Sequence, residues 1–142
     1  MEPQNHYFSF GAHGMPRAWT EGNDVVHIAW DGDVSAEDVM TGAKAFELVP
    51  NGANGFFLIM HVEKQEHFSS AARKAITSDP RSGWVREVLV VGASFHIRVM
   101  LGMIAKAMSA LGFGKAQIAF VESEAAIPEQ IERMRRKWRE KR

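Results

Sequence analysis

Two short runs constrain the fold of this chain more than any other feature. Phe56-Phe57-Leu58-Ile59-Met60 and Val88-Leu89-Val90-Val91 are apolar at every position, whereas a strand with one wet face alternates apolar and polar residues. Such runs suit central strands covered on both faces, and helical stretches between them make the strands parallel. Ser35, three residues ahead of Asp38, has the spacing of a capping box, and Val39, Ala43, Phe46 and Val49 follow as a buried stripe ended by Pro50-Asn51-Gly52. Ser69 or Ser70 caps a short helix through Ile76, stopped near Asp79-Pro80. Ser94 caps the longest helix, which ends near Leu111 with Gly112 as its C-cap. Ser123 opens the last, with Pro128 tolerated near the first turn.

Ahead of these elements, Val26, Ile28 and Trp30 face one way and Val25, His27 and Ala29 the other, which is a strand pattern. Asp31-Gly32-Asp33 reads as a turn, Tyr7 to Ala12 as an edge strand, and the stretch through Gly14, Pro16 and Gly22 as turn-rich. Ala116 to Val121 is the last strand. The expected order is ββαβαβαβα, an α/β domain with a mixed, mostly parallel sheet of about five strands, right-handed crossovers and helices on both faces. At 142 residues, with no repeat or linker composition, one domain spanning 1–142 is expected.

Composition narrows the chemistry. There is no cysteine, which removes disulfides, thiolate metal sites and thiol nucleophiles and fits a reducing, cytoplasmic setting. Met1-Glu2-Pro3-Gln4-Asn5 does not read as a signal peptide, and no apolar run approaches the ~18 residues of a membrane span. The net charge is zero, so no nucleic-acid partner is expected. The charge is uneven, however: Arg133, Arg135, Arg136, Lys137, Arg139, Lys141 and Arg142 against Glu140 give the tail +6 and leave the body −6.

The order of elements, with local wording, resembles the STAS-type domains, the SpoIIAA-like family of bacterial anti-sigma-factor antagonists. The matching pieces are Val25 to Asp38, the strand Phe56 to Met60 leading into Ser69-Ser70-Ala71-Ala72-Arg73, Val90-Val91-Gly92-Ala93-Ser94-Phe95, and Val121-Glu122-Ser123-Glu124-Ala125-Ala126. The resemblance covers roughly residues 24 to 140. It implies a non-enzymatic regulatory module that binds a small anionic or lipid-like ligand or a protein partner, without a cofactor. In the antagonists a serine within Asp-Ser-Ser-Gly is phosphorylated. The aligned residues are Phe68-Ser69-Ser70-Ala71, which makes Ser69 and Ser70 the phosphorylation candidates while departing from the motif at both ends. The likeness is closer to the looser SpoIIAA-like branch, in which an Arg follows the central strand, a place that Arg73 fits.

The residues themselves nominate further sites. Gly92-Ala93-Ser94 opens a helix whose free N–H groups suit an anion, and His96 and Arg98 in the same first turn oppose the helix dipole unless an anion is bound. Ser94, His96 and Arg98, with Arg73, are therefore the ligand-binding candidates. The alternative is that Arg98 pairs with Glu63 or Glu87 and His96 is solvated. His96 as a general base on a small acidic metabolite is the enzymatic reading, and it needs an orienting acid. Gly-x-Ser after a strand is not a nucleophile elbow here, because His96 stands where that motif needs glycine.

On the long helix, Ile97, Met100, Leu101, Ile104, Ala107, Met108 and Leu111 form the core stripe. Phe95, Val99 and Met103 lie on another side, as a partner or homodimer surface or a face that another helix covers. His61, Glu63, Glu66 and His67 are metal-ligand types, but their spacing matches no metal motif and no metal is expected. On the final helix Ile127, Ile131, Met134 and Trp138 pack inward. Its basic end is a solvated face, or else an electrostatic contact with anionic lipid headgroups (a peripheral membrane contact), nucleic acid or an acidic patch on a partner.

Overall fold

The computed structural model describes residues 7–9, 17–110 and 117–140. Six strands form one sheet: β1 (Tyr7–Ser9), β2 (Arg17–Glu21), β3 (Val25–Val34), β4 (Phe56–Phe68), β5 (Val85–Val91) and β6 (Gln117–Val121), in the order β1-β2-β3-β4-β5-β6. The first two pairings are antiparallel and the other three parallel. Among the described residues four α-helices join or follow them: α1 (Ala36–Ala43), α2 (Ser70–Ser78), α3 (Phe95–Ala110) and α4 (Ile127–Glu140). The expected α/β class and mostly parallel sheet are what the chain forms.

Three of the expected serine caps are made, whereas Ser123 makes no side-chain cap bond and is followed by the single turn Glu124–Ala126 before α4. Ser35 Oγ accepts from the Asp38 N–H while Asp38 Oδ2 accepts from the Ser35 N–H, both at 3.1 Å. Ser69, rather than Ser70, caps α2 through the Ala72 N–H at 2.9 Å. Ser94 caps α3 through the Ile97 N–H at 3.3 Å.

Four boundaries differ from the sequence reading. The first helix, read as running to Pro50, is α-helical only to Ala43 and goes on as a 3-10 helix over Lys44–Leu48. The extra strand is β2, read from sequence as part of a turn-rich stretch. Cross-strand pairing of Arg17 with Ala29, Trp19 with His27 and Glu21 with Val25 outweighs the nearby Pro16 and Gly22. Asp31-Gly32-Asp33 does not turn but continues β3, with register shifts between Ala29 and Asp31 and between Gly32 and Val34. Gly32, at φ +68°, supplies the left-handed conformation that such an irregularity favours. β4 runs on past Met60 to Phe68, so His67, expected in a loop, ends a strand. Gly14, Pro16 and the expected Leu111–Gly112 cap lie outside the described residues, as do Ala116 at the start of the last strand and Lys141 and Arg142 in the tail.

Strand order decides the layers. Parallel strands laid down in sequence order, each crossover of the same hand, send every connecting helix to the same side of the sheet. Accordingly Val39 and Ala43 of α1, Ala72 of α2, and Ile97, Met100, Leu101 and Ile104 of α3 share one core with Val26, Ile28, Phe56, Leu58, Met60 and Val90. Helix α4 follows the last strand and is free of that constraint. It covers the other face, where Ile127, Ile131 and Met134 pack on Val25, Phe57, Ile59, Leu89 and Val91. Arg135 fastens α4 to the β2–β3 turn by bonds of 2.9 and 2.7 Å to Asp24, and Lys137 reaches Glu87 at 3.3 Å and also Gln117.

Candidate functional site

One helix cannot span six strands, so among the described residues the α4 face stays open over β2, β3 and the end of β4. The opening is a polar cleft of about 570 Å³. Its floor follows from strand alternation: Trp19 on β2, His27 on β3 and His61 on β4 all point to this side. Their rings stack, Trp19 on His27 at 4.8 Å and 4° and His27 on His61 at 5.2 Å and 24° between planes. Arg17 lies over the Trp19 ring at 5.0 Å. Glu21, Asp31, Glu63 and Glu124 against Arg17 and Lys64 leave the lining formally at −2.

His27 and His61 are buried and hydrogen-bonded to each other, Nδ1 of His27 to Nε2 of His61 at 3.0 Å. His27 Nε2 meets Glu21 Oε1 at 2.8 Å, and His61 Nδ1 lies 3.4 Å from Glu124 Oε1. The protons are assigned from these lengths. The 2.8 Å contact is a charge-assisted hydrogen bond, so His27 Nε2 carries the hydrogen and its Nδ1 accepts. His61 must then donate from Nε2, and its own Nδ1 is left as a bare lone pair facing the cleft. The opposite assignment would set a lone pair against a carboxylate at 2.8 Å and spend the hydrogen on the long contact.

Burial keeps both rings neutral. It pushes His27 below the ordinary imidazole range, against the pull of Glu21. His61 falls to about 4, through burial first and the neighbouring His27 second, with Glu124 opposing. Glu63 moves the other way, raised by its own burial and then by the charge of Glu124. Gly92, at φ +76°, makes room for Glu63, because a Cβ there would collide with Glu63 Cγ.

The residues nominated from sequence are distributed differently. Ser94 and His96 are exposed at the start of α3. Arg98 pairs with neither Glu63 nor Glu87. Its guanidinium lies over Phe120 at 5.1 Å and donates to the Ala93 carbonyl at 3.4 Å, while Glu87 is taken by Lys137. Arg73 is held by Ser70 Oγ at 3.0 Å. The polar cleft is not lined by Ser94, His96, Arg98 or Arg73, and neither is an apolar cavity of about 110 Å³ beneath α1, α2 and α3.

The ring against His96 is that of His67, edge-on at 6.2 Å, rather than an orienting acid. Ser69 and Ser70 are both exposed at the start of α2. Phe95, Val99 and Met103 are 82%, 47% and 60% exposed, so no helix of the described residues covers that stripe. Of the cluster named from sequence, His61 and Glu63 line the cleft, His67 does not, and the side chain of Glu66 lies outside the described groups.

Sequence reasoning missed Trp19, Glu21, His27 and Glu124. One signal was available: His27 shares a strand face with Val25 and Ala29, an inward histidine between apolar neighbours.

No family model matches the sequence, and no curated protein does. The fold is similar to that of an uncharacterised protein of the DUF3478 family from Shewanella loihica, whose structure is described as having a SpoIIAA-like fold. The TM-score is 0.52 and the identity 10%, over 92% of this chain and 98% of that one. The chain therefore has a SpoIIAA-like fold. No helix of the described residues is long and apolar enough to cross a membrane.

Proposed function

We propose that this chain is a regulatory, ligand-binding module of SpoIIAA-like type, and that its ligand enters the polar cleft over Trp19, His27 and His61. The observation that carries this reading is the Glu21–His27–His61 relay. Two buried histidines are hydrogen-bonded in series, and the outermost nitrogen, His61 Nδ1, lies at the cleft 3.4 Å from Glu124 Oε1. The cleft gathers side chains from β2, β3, β4 and the turn after β6. The acidic lining favours a cationic group over the anion expected at the start of α3.

Titration with tetramethylammonium and, separately, with phosphate tests the site by NMR. Shifts of the Trp19 indole and the His27 and His61 ring signals with the ammonium probe support the cleft. Phosphate shifts confined to Ser94, His96, Ile97 and Arg98 overturn it in favour of the α3 terminus.

A second reading rests on the exposed Phe95–Val99–Met103 stripe, which offers a face for a second copy of the chain. Val99→Glu would then convert a dimer to a monomer in light scattering, and a dimer that survives the change removes this reading.

A further inference from the structure

We infer that His61, Glu63 and Glu124 form a binding site for a divalent first-row transition metal ion of the zinc or manganese class. The inference rests on the cleft being the ligand site and names what occupies its inner end. One imidazole nitrogen and one carboxylate oxygen from each glutamate lie within 4.8 Å of one another. A tetrahedral zinc shell, with bonds of about 2.0–2.1 Å, spaces its ligand atoms by about 3.4 Å. The three groups therefore close by roughly 1 Å or more around an ion, a movement within reach of two exposed glutamate side chains.

The donor atom that need not move is His61 Nδ1. Its residue is 7% exposed, and the relay from Glu21 through His27 leaves this nitrogen without a hydrogen. With the protons so assigned, His61 Nδ1 and Glu124 Oε1 face each other at 3.4 Å as two acceptors, an arrangement that a cation relieves. A histidine ligand whose other nitrogen donates to a fixed acceptor is the usual outer-sphere support of a metal site. Here His27 is that acceptor and Glu21 orients it in turn. Two carboxylates and one imidazole suit zinc, iron or manganese in the divalent state, with positions left for water or a ligand.

Sequence spacing hid the site because Glu124 arrives from beyond β6, in the single turn Glu124–Ala126 that precedes α4. Glu63 comes from β4, held where Gly92 has no side chain.

The test is calorimetric titration of chelator-treated full-length protein with Zn²⁺ alone, alongside Mn²⁺ broadening of its NMR spectrum. One saturable zinc per chain is expected, with broadening centred on His61, Gly92 and Glu124. Glu63→Gln and Glu124→Gln should each weaken zinc at least about tenfold. Glu122→Gln, an exposed neighbour outside the cluster, should leave it unchanged.

Absence of saturable binding overturns the inference, and so does zinc affinity equal in wild type and both cluster variants. Broadening centred on His67 and His96, the ring pair on the surface, overturns it as well. If tetramethylammonium still shifts Trp19, His27 and His61 when zinc fails, the metal inference falls alone. If neither probe acts there, the cleft reading falls with it.

Discussion

On one face of the sheet Val26, Ile28, Leu58, Met60 and Val90 lie beneath three helices. On the other, Val25, Phe57 and Leu89 lie beneath α4 alone, while His27 and His61 lie beside it under an open cleft. The strands are the same, so the difference comes from connectivity. Sequential order commits α1, α2 and α3 to one side, and a single terminal helix is left for the other. That order also has no switch point where neighbouring crossovers diverge, the usual origin of a crevice in open α/β sheets. The opening arises from a shortage of cover instead. Both faces bury fully enclosed side chains, but polar chemistry is possible only where α4 leaves its face uncovered.

The sharpest way to break this comparison is to cut into each face and compare the losses. Phe56→Ala, at a fully buried ring in the three-helix core, should cost about 3–5 kcal/mol in chemical denaturation. On the cleft face His27→Ala should cost less, about 1–3 kcal/mol, because it leaves the buried His61 without its acceptor. Replacing both rings by leucine removes donor and acceptor together and should be close to neutral. If the double variant lost as much as Phe56→Ala, the histidine pair would belong to the structural core, and the division between the faces would fail.

Much of the crowded face was legible in the sequence. The two-faced strands, the serine caps at 35, 69 and 94 and the Ile97–Ile104 stripe each follow from local rules of periodicity and hydrogen bonding, and each forms. The cleft was not legible, because nothing local marks it. Strand β2 owes its existence to pairing with β3, and it brings Trp19 and Glu21 to His27 only through that register. His27 and His61 stand 34 positions apart and meet because β3 and β4 pair in parallel with His27 opposite Ile59. Glu124 reaches them across the sheet from β6. The Ser94–His96–Arg98 group was readable as a helix terminus, but its residues do not converge, since Arg98 turns back onto Phe120.

Acid should also separate the faces. His27 and His61 both lie below the ordinary imidazole value of 6.5, His61 at about 4, so in the window between these values the unfolded chain binds more protons than the folded one. Stability of the metal-free protein therefore falls as the pH drops from about 6.5 toward about 4, and is restored above that window. Glu21 and Glu124 resist the fall by favouring the protonated rings, while Arg17 promotes it at His61. Urea midpoints measured across this range should slope for wild type and lose most of that slope in the double leucine variant. A slope that persists there would assign the acid sensitivity to groups other than these two histidines.

The smallest effect concerns how α4 is held. The Arg135–Asp24 pair is bidentate, but both side chains are one-third exposed, so Arg135→Ala should cost only about 0.5–1 kcal/mol of global stability. Its local consequence is larger than its energy. Ile127, Ile131 and Met134 still fix the middle of α4, whereas Arg135 ties the helix to the turn between β2 and β3, beside the strand that carries Trp19. Hydrogen exchange should therefore quicken at the end of α4 and in the amides of β2 and the start of β3. Protection in α1 and α3 should stay unchanged, because those helices rest on the opposite core. Equal loss of protection on both faces would mean that the sheet unfolds as one cooperative unit, with α4 no more separable than the three helices behind it.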